Sequence, residues 1–370
     1  MERLKTPCLL LDVDRVRKNA ERISDIAKRN NVRLRPHIKT HKCIEVARIQ
    51  TEGFDGAVTV STLAEARDFS ANGFRDITYA VPIESGKFAE AIELSRSGVK
   101  LSLLTDDAET AKLLDEAAGR AGVIFDVFVK IDCGTHRVGV EPHTTEAIDI
   151  PRQLSGAVNL SFAGILTHAG HSYDVKTVEE IKAVARHERD VMVELAAKLR
   201  GLGIEVPTVS IGSTPTINHI DHLDGVDEVR PGNYIFFDNY QATLGSCGLD
   251  DCALTVLAAV VHRDASRRKI VIDAGGIAMS KDRGPVGLDP VCGYGRVLDL
   301  EGKDTGMRLS SLSQEHGVIE AANDAFDRFT IGDRVRILAN HSCMTAAQHT
   351  HYNVLENGKI VDKWQIHTGW

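Results

Sequence analysis

Leu34-Arg35-Pro36-His37-Ile38-Lys39-Thr40-His41-Lys42 reads as a short β-strand that runs out at Pro36 and carries Lys39 past its C-terminal end, with a turn and a helix from near Thr40. In a ring of alternating strands and helices, catalytic groups gather at that end of each strand, because the loops there build the site. A lysine flanked by His37, His41 and Lys42 is a candidate for a lowered pKa and for a Schiff base with a carbonyl cofactor. The competing reading of this stretch alone is an ordinary surface lysine in a basic loop.

Outward from this stretch the same grammar repeats. A strand over Cys8 to Val13 and a helix from Asp14 to Arg29 precede it; Asp14 is a good N-cap, and Val16, Ala20, Ile23 and Ala27 recur at helical spacing. Eight apolar, β-branched runs fall near 33–38, 56–60, 76–81, 100–104, 124–131, 162–168, 207–212 and 228–237. Runs as continuous as 123–129 and 162–166 suit strands covered on both faces, as parallel strands are. Helical patterns at Leu63 to Asn72, Lys87 to Arg96, Ala108 to Ala118 and Val178 to Leu202 lie between them. The alternation predicts an α/β fold, a (β/α)8 TIM-type barrel; period alone leaves a doubly wound sheet as the alternative.

After Gln241 the helical patterns fade. Apolar runs follow at Ala253 to His262, Lys269 to Asp273, Tyr294 to Leu298, Arg334 to Leu338, Tyr352 to Leu355 and Ile360 to Trp364, the last two joined by the hairpin turn Glu356-Asn357-Gly358-Lys359. The expected domains are the barrel over 14–241 and an antiparallel β domain from 1–13 and 242–370.

A chain of 370 residues with 43% hydrophobic content suits two domains. A net charge of -8 argues against a nucleic-acid partner, while leaving a small anion to be held by local cations. Seven cysteines, at 8, 43, 133, 247, 252, 292 and 343, are scattered without a C-x-x-C pair, which argues against a disulfide framework and for a reducing compartment. No apolar run approaches membrane length, and Met1-Glu2-Arg3-Leu4-Lys5 leads into a strand rather than a secretory core. The expectation is a cytoplasmic enzyme with neither a nucleic-acid nor a membrane partner.

Polar groups cluster at the ends of the later strands: Lys130 to Arg137 after the fifth, Thr167 to Tyr173 after the sixth, Ser210 to Thr216 after the seventh, and Arg230-Pro231-Gly232-Asn233-Tyr234 at the eighth. The small, hydroxyl-rich run Gly212-Ser213-Thr214-Pro215-Thr216 offers donors to a phosphate, and the loops after strands seven and eight are the recurrent phosphate site of such barrels. Read without that context, it is a turn before a helix. A lysine on the first strand opposite a phosphate cradle on the last two is a coherent geometry for pyridoxal 5'-phosphate. In the second region His341 and Cys343 follow a strand at i and i+2, where extended chain puts both side chains on one side. Imidazole and thiolate suit Zn²⁺; a lone H-x-C is otherwise a core feature. His349 and His351 form a second such pair, read as solvated or structural, or as an additional metal site.

Several short motifs then carry a resemblance that covers essentially the whole chain: Arg35-Pro36-His37-Ile38-Lys39, Val58-Thr59-Val60-Ser61-Thr62, Thr167-His168-Ala169-Gly170, Gly212-Ser213-Thr214-Pro215-Thr216, Glu228-Val229-Arg230-Pro231-Gly232, Gln314-Glu315-His316-Gly317 and Asn340-His341-Ser342-Cys343. The chain resembles the fold type III pyridoxal phosphate enzymes of the alanine racemase type, and among them the zinc-dependent D-serine and D-threo-3-hydroxyaspartate dehydratases. The resemblance implies Lys39 as the Schiff-base lysine, His168 and Tyr173 beside the cofactor ring, and the backbones of Gly212, Ser213, Thr214, Gly232 and Asn233 on its phosphate. It further implies Arg230 facing the pyridine nitrogen, with Tyr173 competing for that place, and Zn²⁺ on His341 and Cys343. Gln314, Glu315 and His316 are candidates for substrate contact or for support of the site. The implied activity is elimination of water from a β-hydroxy D-amino acid to a keto acid and ammonia, in a homodimer. The related D-threonine aldolases carry an aspartate where Cys343 stands, which favours dehydratase over a retro-aldol lyase. A racemase is the second alternative, and the metal pair argues against it. Non-catalytic pyridoxal phosphate carriers lack a β domain.

Overall fold

The structure is a computed structural model that describes residues 1, 3–321 and 326–370; residues 2 and 322–325, inside the expected 1–13 and 242–370 stretches, lie outside the described residues. The chain forms two compact units. One comprises Arg22–Lys39, Ala47–Gly232 and Thr368–Trp370, the other Met1–Glu21, Thr40–Val46 and Asn233–His367. Strand β1 (Cys8–Asp12) and helix α1 (Val13–Arg29) open the chain.

The first unit is built on eight parallel strands: β2 (Arg33–Leu34), β3 (Val58–Val60), β4 (Asp76–Pro82), β5 (Lys100–Thr105), β6 (Phe125–Lys130), β7 (Leu160–Leu166), β8 (Val209–Ile211) and β9 (Glu228–Val229). Their order is β2-β9-β8-β7-β6-β5-β4-β3. A parallel bridge between His37 and Thr59, with the Thr59 N–H on the Pro36 carbonyl at 2.9 Å, joins the continuation of β2 to β3 and closes the ring. Each of the eight predicted runs contains one strand of the expected TIM-like barrel, but the runs 33–38 and 228–237 are strand only at Arg33–Leu34 and Glu228–Val229, and the latter continues into a 3-10 turn at Asn233–Ile235. Helices α2 (Ile44–Thr51), α3 (Leu63–Ala71), α4 (Phe88–Arg96), α5 (Ala108–Ala121), α6 (Glu146–Ser155), α7 (Val178–Gly201) and α8 (Thr214–His219) alternate with them. Thr62 and Thr177 start α3 and α7 with capping boxes closed by Glu65 and Glu180, each residue satisfying an N–H that the helix itself cannot. Leu104, Phe128 and Leu166, from three neighbouring strands, pack against one another.

The helix expected from near Thr40 begins later. Ile38–Thr40 is a 3-10 turn, Lys42 takes a left-handed φ of 49°, and the His41 Nδ1 accepts the Cys43 N–H at 3.0 Å, so α2 starts only at Ile44. An interrupted entry of this kind keeps Lys39 in the loop rather than on a helix.

Arg35 and Glu228, both buried, are joined at 2.6 Å, and Arg35 reaches Asp76 at 2.6 Å as well. Removing one partner of a buried pair leaves the other charge uncompensated. Arg35→Ala is therefore expected to destabilise the barrel by about 3–5 kcal/mol, as a lowered midpoint in urea unfolding followed by circular dichroism.

In the second unit β10 (Leu254–Asp264), β11 (Lys269–Ile272), β12 (Gly295–Leu298), β13 (Asp304–Leu312), β14 (Gly317–Glu320), β15 (Arg334–Ala339), β16 (His351–Glu356) and β17 (Lys359–Gln365) join β1 in one sheet ordered β11-β14-β13-β12-β15-β10-β1-β16-β17. The long β10 also pairs with β11, so six antiparallel strands close on themselves. The β16–β17 turn is the predicted one, with left-handed Asn357 and Gly358 at φ 49° and 73°. Strands β13 and β14 are absent from the sequence reading. β13 is Asp-Thr-Gly-Met-Arg-Leu-Ser-Ser-Leu, in which only Met307 and Leu309 are buried, so its apolar signal is too thin to register as a run.

Candidate functional site

In the barrel unit the residues singled out from sequence gather after the strands. Lys39 lies in the 3-10 turn beyond β2, where its own N–H is 3.4 Å from His37 Nδ1; His37 Nε2 in turn lies 3.4 Å from Ser61 Oγ. His168 follows β7. Burial and the nearby positive charges of Lys39, Lys130 and Arg230 hold its pKa well below the usual histidine value. The ring is therefore neutral, and its Nδ1, 3.2 Å from the Gly212 carbonyl, carries the hydrogen and donates it. Tyr173, half-buried, ends the 3-10 turn Gly170–Tyr173.

Two buried cations stand at the same end. Arg230 donates from Nη2 to the Thr167 carbonyl, while its buried Nε has no partner among the described residues. Burial lowers its pKa to about 10, against the pull of Glu228 and Glu188. Lys130, at the end of β6, donates to the Ile131 carbonyl at 3.3 Å and is pushed down to about 8, by burial first and then by Arg230. Among the described residues neither cation is in an ion pair within 4.0 Å.

The turn Gly212–Thr216 passes from β8 into α8. Ser213 is the N-cap, accepting from the Thr216 N–H at 3.4 Å, and Pro215 fits the first turn because its missing N–H costs nothing there. Gly212 sits at φ 121°, and a Cβ on it would come 3.1 Å from Ile217 and 3.2 Å from the Arg230 N–H. Only glycine keeps that hollow open. The N–H groups of Gly212 and Ser213, expected as phosphate donors, are bonded to Glu188 Oε1 at 3.1 Å and Thr216 Oγ1 at 3.1 Å. What these two residues contribute is room and the Ser213 hydroxyl. An orphaned guanidinium nitrogen, a hollow that a Cβ would fill and a hydroxyl-lined turn fit a phosphorylated cofactor. Gly232, buried, closes this unit.

In the β unit, extended chain is not what unites His341 and Cys343. His341 is the last extended residue, at φ -135° and ψ 100°, and the chain turns at once into the helix Ser342–Ala346. The turn is held by Asp238, whose Oδ2 accepts the Ser342 N–H at 2.9 Å, the Ser342 hydroxyl at 3.2 Å and Asn233 Nδ2 at 2.8 Å. The two side chains still meet, as a hydrogen-bonded imidazole and thiol. Burial opposes charge on both. On Cys343 the His341 cation and hydrogen bonds shared with Thr40 at 3.3 Å and received from Asn233 at 3.5 Å overcome it and bring the thiol down to about 7. On His341 the Cys343 thiolate and Asp282 outweigh burial and raise the imidazole to about 11. Cys8, Cys43 and Cys133 are instead pushed up by burial, so Cys343 differs in kind from these buried thiols.

His341 Nδ1 donates to Asp282 Oδ2 at 2.8 Å, which commits that nitrogen and leaves Nε2 as the one a metal could take. An imidazole backed by a carboxylate and set beside a thiolate fits a zinc site with positions left open. Behind them, Tyr352 donates to the His41 carbonyl at 2.7 Å and stacks edge-on with Phe236, which anchors the Thr40 segment.

The other histidines are engaged elsewhere. His349 Nε2 donates to the Ala278 carbonyl at 2.9 Å, and His351 Nδ1 lies 3.0 Å from the Thr350 hydroxyl. Gln314, Glu315 and His316 form the exposed turn of the β13–β14 hairpin, folded over Gly275, where any Cβ would strike the Gln314 carbonyl at 2.3 Å. Among the described residues one cluster of three ligand-type side chains is compact enough for an ion: Asp132, His136 and Glu141. His136 and Glu141 are exposed, and Asp132 Oδ1 already accepts the N–H groups of Gly134, Thr135 and His136, as a turn requires.

Sequence reasoning missed Asp238, Asp282 and Glu188. A single acidic residue in a loop or helix gives no local signal of its distant partner. All seven cysteines are free thiols, and no helix among the described residues is long and apolar enough to cross a membrane.

Comparison with known proteins gives two family matches, "Alanine racemase, N-terminal domain" over residues 11–240 and "Putative serine dehydratase domain" over 253–355. The chain is 40% identical to D-threo-3-hydroxyaspartate dehydratase of Delftia sp. strain HT23, over 99% of this chain and 98% of that protein. It is 37% identical to a D-serine dehydratase of Dictyostelium discoideum, over 99% and 98%. A mutant of D-threo-3-hydroxyaspartate dehydratase solved in the metal-free form superposes with a TM-score of 0.96 at 40% identity, covering 100% of this chain and 99% of that one.

Proposed function

The chain belongs to the family that joins an alanine racemase N-terminal domain to a putative serine dehydratase domain, and from that premise we propose that it is a pyridoxal phosphate- and zinc-dependent dehydratase. Its substrates are β-hydroxy D-amino acids such as D-threo-3-hydroxyaspartate or D-serine, and its products a keto acid and ammonia. The observation that carries this reading is the pair His341 and Cys343, a thiolate and an imidazole held together and backed by Asp282.

The division of labour puts the cofactor on 14–241 and the metal on 242–370 with 1–13. Lys39 holds the cofactor's carbonyl carbon through its amine. The turn Gly212, Ser213 and Thr214, with Gly232 and Asn233, takes the phosphate, and His168 and Tyr173 flank the ring. Arg230, whose buried Nε has no partner among the described residues, would face the ring nitrogen, and a guanidinium there would keep that nitrogen unprotonated. His341 and Cys343 hold the metal. Gln314, Glu315 and His316 stand as candidates for substrate contact. When bound, pyridoxal phosphate delocalises the electron pair left at the substrate Cα, and zinc serves as the Lewis acid for the β-hydroxyl. Lys39, once its amine is free, takes the proton from Cα. His168, neutral and fixed on the Gly212 carbonyl, adds no positive charge beside the ring.

Seven free thiols support a cytoplasmic setting. The assembly is a C₂ homodimer, the commonest closed form; sedimentation of a fully active species at monomer mass would refute this. The reading is tested by incubating the protein with D-serine, D-threonine and both 3-hydroxyaspartate diastereomers, with and without chelator. Keto acid and ammonia, lost on chelation, support it; glycine and an aldehyde identify a retro-aldol lyase instead, and an L-enantiomer alone a racemase.

Asp282→Asn is expected to weaken metal retention about 10–100-fold, because a neutral amide no longer fixes or polarises the His341 ring. Competition against a chromophoric chelator measures it. Unchanged metal affinity would remove Asp282 from the site.

A further inference from the structure

Glu188 is the most completely buried carboxylate of the barrel unit with no ion pair among the described residues, at 0% exposure. It lies on α7, and three donors from the loops after two different strands converge on it. Oε1 accepts the Ala169 N–H at 3.0 Å and the Gly212 N–H at 3.1 Å, and Oε2 accepts the Thr216 hydroxyl at 2.8 Å. Ala169 is the neighbour of His168, and Gly212 is the residue whose carbonyl receives the His168 ring. One carboxylate thus sets the spacing between the loop that carries His168 and the turn Gly212–Thr216.

It also sets a direction. A hydroxyl has one hydrogen, and Thr216 spends its hydrogen on Glu188. Thr216 Oγ1 is therefore the acceptor toward Ser213, from which it receives the backbone N–H at 3.1 Å. Ser213 Oγ lies 3.0 Å from Thr216 Oγ1 and 2.9 Å from Ser172 Oγ, and it accepts the Thr216 N–H. With the Thr216 hydrogen committed to the carboxylate, the hydroxyls of Ser172, Ser213 and Thr216 are tied into one chain that ends on Glu188. The negative charge also lies near Lys130 and Arg230, buried cations of this end without a salt bridge among the described residues.

We propose that Glu188 is a positioning residue of the cofactor end: through Ala169, Gly212 and Thr216 it holds the phosphate turn in register with His168. This rests on the pyridoxal phosphate reading. The test uses full-length protein stripped of cofactor with hydroxylamine. Wild type, Glu188→Gln, Thr216→Val and the double variant are titrated with pyridoxal phosphate by absorbance, titrated with inorganic phosphate by competition, and compared by the phosphorus-31 resonance of the bound cofactor. Glu188→Gln keeps the shape but presents an amide to at least one donor; hydrogen bonds to charged groups contribute enough that about a tenfold loss of affinity for both ligands is expected. Thr216→Val should lose affinity too, both variants should move the phosphorus resonance, and the double variant should fall short of the product of the two losses, because both act through one bond. A Glu188→Gln protein that binds both ligands within twofold of wild type, or losses that multiply independently, would overturn the role of Glu188. If Glu188→Gln does not fold, Thr216→Val decides alone: wild-type affinity and an unmoved resonance overturn the proposal. A wild type that takes up no pyridoxal phosphate overturns the functional reading as well, so the two failures are told apart by the wild-type titration.

Discussion

Lys39→Ala is expected to abolish covalent attachment of pyridoxal phosphate and to cut keto acid formation by at least about 10²–10⁴-fold, the usual contribution of a positioned acid–base group. Two tasks are proposed for the same amine, holding the cofactor's carbonyl and taking the Cα proton, so its loss should remove both. The structure places Lys39 in the turn after β2 and within electrostatic reach of His168. Borohydride reduction of the loaded wild type followed by peptide mapping should leave the pyridoxyl group on the peptide that contains Lys39. The competing lysines are Lys42 and Lys130. Lys130 is the rival to watch, because burial brings its amine down to about 8 and so raises the share that is uncharged near neutral pH. A label on Lys130, with activity kept in Lys39→Ala, would transfer both roles to β6.

Cys343→Ala should remove most of the bound metal and reduce elimination at least about a hundredfold, the upper range for losing even a supporting partner of a metal ligand. Cofactor absorbance should stay intact, because the groups proposed to hold the cofactor's ring and carbonyl belong to the barrel. Exchange of the substrate α-proton with solvent should persist, since that step is proposed for Lys39. Cys343→Asp is the sharper variant. It exchanges a soft ligand for a hard one and restores the aspartate that the resemblance assigns to D-threonine aldolases. Weaker zinc retention and loss of dehydration are expected, with metal-stimulated aldol cleavage as the gain to look for. If Cys343→Ala kept its metal and its elimination activity, the site would lie elsewhere. His349 is a poor substitute, because the Ala278 carbonyl already holds its Nε2.

Much of the architecture is local, and local chemistry is legible in a linear chain. Eight apolar runs separated by helical patterns became β2–β9 because a strand covered on both faces has to be continuously apolar. The Asn357-Gly358 turn was readable because two left-handed residues in a row demand such residue types. Lys39, His168, Gly212 and the His341–Cys343 pair could be singled out as candidates because their residue types are chemically distinctive and fall where strands end. Only the tertiary structure supplied what these groups lean on. Asp282 meets His341 across 59 residues, Asp238 meets Ser342 across 104, and Glu188 meets Gly212 across 24. A carboxylate's partner is chosen by how the chain folds back, and no periodicity in the neighbourhood of an acidic residue records it. For the same reason the sequence could join His341 and Cys343 only by imagining an extended strand, whereas the fold joins them across a helix start that a buried aspartate holds in place.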